Sequence, residues 1–202
     1  MEKIIILGSG AFAREAFDWI TQSGYYVAGF FSGIKDDKLS LRGLPIYYSA
    51  DEVPLDLRWI VGSGDQTAIN AMVNLLKNKI SPAQPVIHRS CILGSNVLVG
   101  NGSIICPGCI ITCDVVIGEN TVINISSTIG HDCKIGSGVH LSPNSSLSGR
   151  TIIGNNCQIG TNSVTIPGVS IVDNVIIGAS TVVTKDLIES GVYVGSPARK
   201  IK

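Results

Sequence analysis

Between residues 87 and 183 an aliphatic side chain returns at every sixth position. The column reads Ile87, Leu93, Val99, Ile105, Ile111, Ile117, Ile123, Ile129, Ile135, Leu141, Leu147, Ile153, Ile159, Thr165, Ile171, Ile177 and Val183, with Thr165 the one exception. Neither a helix (period 3.6) nor an ordinary strand (period 2) asks for that spacing. A coil with three flat sides does, if each side takes six residues and turns one large side chain inward. The repeat predicts a parallel β-helix, in which stacked coils of eighteen residues bury a continuous core. Residues eighteen apart then stack at the strand spacing of ~4.8 Å.

Three further columns share the period. Two residues before each aliphatic position stand small side chains, among them Cys91, Cys109, Cys133, Cys157, Ser103, Thr121, Ser127, Thr151 and Ser163. A reduced cysteine packs as a small hydrophobe, and no CxxC pair exists, so these thiols are read as packing residues. Glycine often follows the aliphatic residue (94, 100, 118, 130, 136, 154, 160, 178), which suggests corners needing backbone freedom. The position just before it points outward. It reads Val86, Ile92, Leu98, Ile104, Ile110, Val116 and Val122, then Thr128, Lys134, His140 and Ser146. Rows of exposed aliphatic side chains imply cover by neighbouring subunits, most simply in a homotrimer. The polar stretch implies a wall facing water or a ligand.

The first 80 or so residues follow other periods. Lys3 to Leu7 reads as a buried strand, followed by Gly8-Ser9-Gly10-Ala11-Phe12-Ala13. Phe12, Ala16, Trp19 and Ile20 then mark one face of a helix ending near Gly24. Val27–Phe31 and Trp59–Val61 are further strands. Asp65 is placed to cap a helix carrying Ile69, Met72, Val73, Leu76 and Ile80. Alternation of this kind predicts a small parallel sheet, an α/β Rossmann-like domain over 1–80. Ser81-Pro82-Ala83-Gln84-Pro85 reads as the hinge into an all-β domain over 81–202.

Composition narrows the classes of function. Fifteen basic and fifteen acidic residues balance, which gives no nucleic-acid or anionic-membrane footprint. No apolar run reaches the ~18 residues of a membrane span, and the first apolar run is too short for a signal-peptide core. The expectation is a cytoplasmic protein.

Candidate chemistry concentrates in Asn124-Ile125-Ser126-Ser127-Thr128-Ile129-Gly130-His131-Asp132. His131 occupies a corner, and its neighbours one coil away are Cys113 and Gly149, so the glycine leaves space beside the imidazole. A histidine there can accept a proton near neutral pH. Asp132 either orients it or pairs with Arg150, eighteen residues on. A solvated structural corner is the plainer alternative. His88, at the entrance to the first coil, and Trp19 and Trp59 read as structural.

From Ile-Leu-Gly-Ser-Gly (6–10) to Gly-Ser-Pro-Ala-Arg (195–199), and above all in Ser127–Asp132 with Gly138-Val139-His140, the chain resembles a family of sugar O- and N-acyltransferases. These join a Rossmann-like domain to a left-handed β-helix, and they include sialic acid O-acetyltransferases and N-acetyltransferases of UDP-linked 4-amino sugars. The resemblance implies His131 as general base, Asp132 tuning it and Asn124 supporting it. It implies acetyl-CoA as co-substrate, contacted by His140 and lined by Gly149, Thr161 and Ala179. Lys185, Arg199 and Lys200 near the C-terminus either meet CoA phosphates or belong to a solvated tail. The substrate implied is a nucleotide-linked amino sugar, held near Ser9, Gly10, Ala11, Ser32 and Gly62. A sialic acid hydroxyl is the alternative acceptor.

Gly8-Ser9-Gly10 by itself is a weak dinucleotide fingerprint. Phe30-Phe31-Ser32-Gly33 supplies no acid for a ribose, so NAD is not expected. A zinc hydro-lyase on the same β-helix needs three histidine ligands gathered at one site. The chain has His88, His131 and His140, with no HxxxxH pair, so no metal is expected. The remaining rival is a non-catalytic nucleotide-sugar-binding trimer.

Overall fold

The computed structural model describes residues 2–202. Strand β1 (Lys3–Leu7), helix α1 (Ala11–Gln22), strands β2 (Tyr26–Phe31), β3 (Ser40–Leu41), β4 (Leu44–Tyr47) and β5 (Leu57–Val61) and helix α2 (Gln66–Leu76) form the N-terminal unit. Its sheet has the order β3-β4-β2-β1-β5 and is parallel apart from the β3–β4 hairpin. Side chains on β1 alternate between two cores. Ile4 and Ile6 join Ala13, Ala16 and Ile20 of α1, whereas Ile5 and Leu7 join Met72 and Leu76 of α2. Alternation on a central strand is what places one helix on each face.

The Asp65 side chain accepts from the Thr67 and Ala68 N–H groups and caps α2 as predicted. The helix stops at Leu76; Ile80 is buried beyond its end, so the apolar spacing overstated the helix by a turn. The β3–β4 hairpin carried no readable signal, being short and largely exposed.

The Ser81–Pro85 segment is not a free linker. Trp59 N–H donates to Ser81 O, Ala83 N–H to Trp59 O, and Gly102 N–H to Ala83 O. It is pinned between β5 and the first coil.

From Val86 to Val183 three parallel sheets form a β-solenoid, with partners eighteen residues apart on every face; the last coil closes at a spacing of sixteen and ends in an antiparallel pair. The first face carries pairs such as 122–123 and 140–141, the second 128–129 and 146–147, and the third 134–135 and 152–153. The sixth-residue column is buried from Ile105 to Val183. Ile87, Leu93 and Val99, in the first coil, are only partly buried. Thr165 is buried because its hydroxyl has partners: Ser148 N–H at 3.1 Å and Thr151 Oγ1 at 2.9 Å. Burial pushes the thiols of Cys133 and Cys157 up, Cys157 to about 11, as suits packing residues.

Two expectations about the columns are corrected. The glycines after the aliphatic residue do not supply left-handed backbone. A Cβ at Gly100 or Gly118 would stand 2.5 Å from the backbone nitrogen of the next coil, so close approach is the reason for glycine there. The left-handed position falls two residues later, at Asn96, Asp114, Asn120, Ser126, Asp132, Asn144 and Arg150, and at glycines 102, 108 and 138.

Val86, Ile104 and Val122 are fully buried by the chain's own N-terminal unit, in one core with α1 and β5. Only the other two faces leave aliphatic rows open: Ile92 and Leu98 at 63% exposure, Ile110 at 42% and Val116 at 44%.

Candidate functional site

The candidate residues read from the sequence fall into three places: a corner of the prism, the seam between the two units and a cavity of the N-terminal unit. The first is the corner at 130–133. Nδ1 of His131 lies 2.7 Å from Oδ2 of Asp132, and both side chains are about half exposed. The hydrogen-bond partner of Asp132 is thus the imidazole and not Arg150, whose backbone N–H instead donates to His131 O. Asp132 has φ +61, and this left-handed turn swings its carboxylate back beside the preceding side chain. With Nδ1–H held by a carboxylate, Nε2 carries the lone pair. A Cβ at Gly149 would lie 2.5 Å from Nε2, 2.8 Å from Cε1 and 2.9 Å from Cδ2, so the ring rests on this glycine.

The second feature is at the seam between the two units. His140 faces outward from the solenoid but is only 6% exposed. Its ring packs against Phe12 at 5.8 Å between centroids, and Gly64 closes its Cε1 side. Asn124 Nδ2 sits 3.4 Å from His140 Nε2, while Asn124 Oδ1 accepts from Ile125 N–H. Nδ1 lies beside the Gly64 backbone without a hydrogen-bond partner. Burial pushes the His140 pKa down to about 4, partly opposed by the Gly64 backbone, so this ring is neutral at physiological pH. Within one chain, then, Asn124 meets His140 and not His131. The four polar outward positions form no single wall. Thr128 and Ser146 share one face, with hydroxyls 2.8 Å apart, while Lys134 and His140 lie on the two others.

The third feature is a cavity of about 470 Å³ at the carboxyl ends of β1, β2 and β5, lined in part by Ser9, Gly10, Ala11, Ser32 and Gly62. All five substrate positions read from the sequence share it. Gly8 (φ +129) and Gly62 are what make the floor possible: a Cβ on Gly8 would lie 2.6 Å from Gly62 O, and one on Gly62 would overlap Ile6. Gly10 precedes α1 without any side-chain cap, so the first N–H groups of the helix face the cavity mouth unpaired by side chains.

The remaining predicted positions sort by edge. His131, Gly149 and Lys185 lie on one edge at intervals of eighteen and thirty-six residues. Thr161 and Ala179 lie on another, eighteen apart, below Asn124. Lys185 and Arg199 line one pocket at the end of the solenoid, with Lys200 tied to Glu189 at 2.8 Å. His88 bonds Ser90 and Gln22 and joins the first coil to α1, a structural role. The described residues hold no cluster of three metal-ligating side chains, and no helix long and apolar enough to cross a membrane. Sequence reasoning missed Phe12 and Gly64 as walls around His140. Phe12 was legible only as one position of an amphipathic helix.

Comparison with known proteins agrees with this fold. The bacterial transferase hexapeptide repeat matches residues 114–149, and the hexapeptide repeat of succinyl-transferase matches residues 150–185. In the solved structures, PerB of Caulobacter crescentus, in complex with CoA and GDP-perosamine, is 27% identical, with a TM-score of 0.88 over 100% of this chain and 98% of that one. This is a hexapeptide-repeat acyltransferase. The acyltransferase shares its fold, at a TM-score of 0.90 and 21% identity over 100% of both chains, with the acetyltransferase domain of PglB from Neisseria gonorrhoeae. WeeI from Acinetobacter baumannii is 23% identical with a TM-score of 0.72, again over 100% of both chains. No curated protein matches the acyltransferase in a sequence search.

Proposed function

We propose that the protein transfers an acetyl group from acetyl-CoA to the amine of a nucleotide-linked amino sugar, with His131 as general base. The observation that carries this reading is the His131–Asp132 pair seated on Gly149: an oriented, half-exposed imidazole with nothing but a glycine beneath its Nε2. Asp132 holds Nδ1–H and stabilises the imidazolium as it forms. Nε2 of His131 accepts the proton released as the sugar amine bonds to the thioester carbonyl carbon. The carbon–sulfur bond then breaks and the CoA thiolate leaves with the electron pair. The histidine that does meet a serine, His88 at Ser90, ties the first coil to α1 away from the His131 corner, so no acyl-enzyme is invoked and transfer is direct.

The chain fits both substrates. Gly149 leaves room beside Nε2, and Lys185 stands on the same edge three coils below His131, roughly 14 Å at the ~4.8 Å rung spacing. There Lys185 and Arg199 would meet phosphates of CoA, with Thr161 and Ala179 of an adjoining edge closing the channel. The glycine-rich cavity would take the nucleotide, its pyrophosphate at the open N-terminus of α1. PerB, a relative of 27% identity, was solved with CoA and GDP-perosamine, which supports an amine acceptor.

The open rows Ile92–Ile110 and Leu98–Val116 support a homotrimer of left-handed prisms. Their edges would meet, bringing the His131 edge of one subunit to the Asn124–His140 edge of the next. A thiol-release assay with acetyl-CoA and UDP-, GDP- and dTDP-linked 4-amino sugars tests the proposal. Release with one of them and its loss by at least about 10²-fold in His131→Ala are the expected results. Unchanged turnover in that variant removes His131 from its role.

A further inference from the structure

The cavity proposed for the nucleotide has two unlike ends. At one, Ile34 and Met72 contribute side chains from beyond β2 and from α2. At the other, toward the solenoid, Phe12 is the one large side chain, among Gly8, Ser9, Gly10, Ala11, Gly64 and Asp65. Phe12 is half-buried and doubly fixed. It meets Trp19 edge-on at 5.8 Å and 67°, and it leans on His140 at 5.8 Å and 45°. Phe12 and Gly64 therefore form the partition between the cavity and the buried His140–Asn124 pair, and Phe12 is its one aromatic ring.

We infer that Phe12 is the platform for the sugar of the nucleotide-linked substrate, a specificity-determining residue that meets the apolar face of a deoxyhexose. The inference rests on the nucleotide-sugar reading above. A ligand with its pyrophosphate at the first turn of α1 has its glycosyl group beside the second residue of that helix, and Phe12 is that residue. The reacting end must point to the solenoid, which leaves the nucleoside for the Ile34–Met72 end. Aromatic rings present a flat apolar surface to the C–H groups of a pyranose, and a 6-deoxy sugar adds a methyl group to that contact. A Phe ring offers no hydrogen bond, so it selects against a polar substituent turned toward it. The packing on Trp19 and His140 fixes the ring before the ligand arrives, which reduces the ordering cost of binding.

The test compares free nucleoside diphosphates (UDP, GDP, dTDP) with the same nucleotides linked to a 4-amino-4,6-dideoxyhexose, by calorimetry on the full chain. Phe12→Ala is expected to weaken the nucleotide sugar by about tenfold and the free nucleotide by less than about twofold, and Phe12→Tyr to restore most of the difference. Should Phe12→Ala fail to fold, Phe12→Leu keeps the apolar volume without the flat face and is expected to lose about threefold for the sugar-linked ligand alone. Saturation-transfer NMR on the unaltered protein should also show the sugar methyl protons close to an aromatic ring. Equal weakening of both ligands, or of neither, overturns the inference while leaving the nucleotide site standing. An unaltered protein that binds none of the nucleotides overturns the nucleotide-sugar reading itself, and this inference with it.

Discussion

The imidazole of His131 rests on the α-carbon of Gly149, one coil below, so closely that a single methyl group at 149 would stand 2.5 Å from Nε2. Gly149 has ordinary backbone angles, so alanine strains nothing but the histidine above it. Gly149→Ala is therefore expected to lower kcat by about 10²-fold or more, since misplacement by an ångström has costs of that order. Circular dichroism and thermal melting should stay close to those of the parent. Full turnover in a folded Gly149→Ala protein would show that the imidazole need not sit where it does.

Asp132 holds Nδ1 at 2.7 Å from a left-handed backbone that asparagine also tolerates. Asp132→Asn keeps the shape and removes the charge that stabilises an imidazolium. A fall in kcat of about tenfold or more is expected, with the KM for acetyl-CoA little changed. Steady-state kinetics on the purified variant decides it.

Thr165 breaks the aliphatic column, yet Thr165→Val, which restores it, is expected to destabilise. The hydroxyl accepts from Ser148 N–H and bonds Thr151 Oγ1; valine removes both bonds and leaves the Ser148 N–H unpaired, while Thr151 Oγ1 keeps Ser148 O. A cost of about 1–3 kcal/mol follows, read as a lower denaturation midpoint in urea at unchanged slope.

His140 gives the fold a pH dependence. Burial holds its pKa near 4 in the folded chain, against about 6.5 when unfolded, so the unfolded chain binds the extra proton between those values. Its contribution is complete above about pH 6.5 and is lost as pH falls toward 4, by up to about 3 kcal/mol. His140→Leu should flatten that part of the stability curve. Chemical denaturation at pH 7.5, 6, 5 and 4 measures it, and an equal slope in both proteins would contradict the burial argument.

The open row of the second face predicts an assembly. Ile110→Arg places a charge where Ile92 and Ile110 stand 63% and 42% exposed in the single chain. Sedimentation should show a trimer for the parent and smaller species for the variant; a monomeric parent would remove the trimer.

The solenoid was legible because its strand pairs from Val86 to Val183 join residues a fixed eighteen apart, so one-dimensional period and three-dimensional neighbour are the same thing there. The six-residue column, the buried thiols and the glycine beside His131 all follow from counting. The corner that turns Asp132 onto His131 was open to two readings, since Arg150 stacks on the same ladder; only the left-handed φ at 132 chose between them.

What counting does not reach is any contact between the two units. Val86, Ile104 and Val122 read as a sticky outer row, and it took the packed N-terminal unit to bury them. His140, Phe12 and Gly64 lie far apart in sequence and meet because the segment after β5 is bonded to the first coil. The sequence by itself thus determined the prism and which residues stand at its corners, because a repeat fixes its own neighbours. Tertiary structure alone decided which face the N-terminal unit covers and what surrounds the second histidine, because those contacts obey no period.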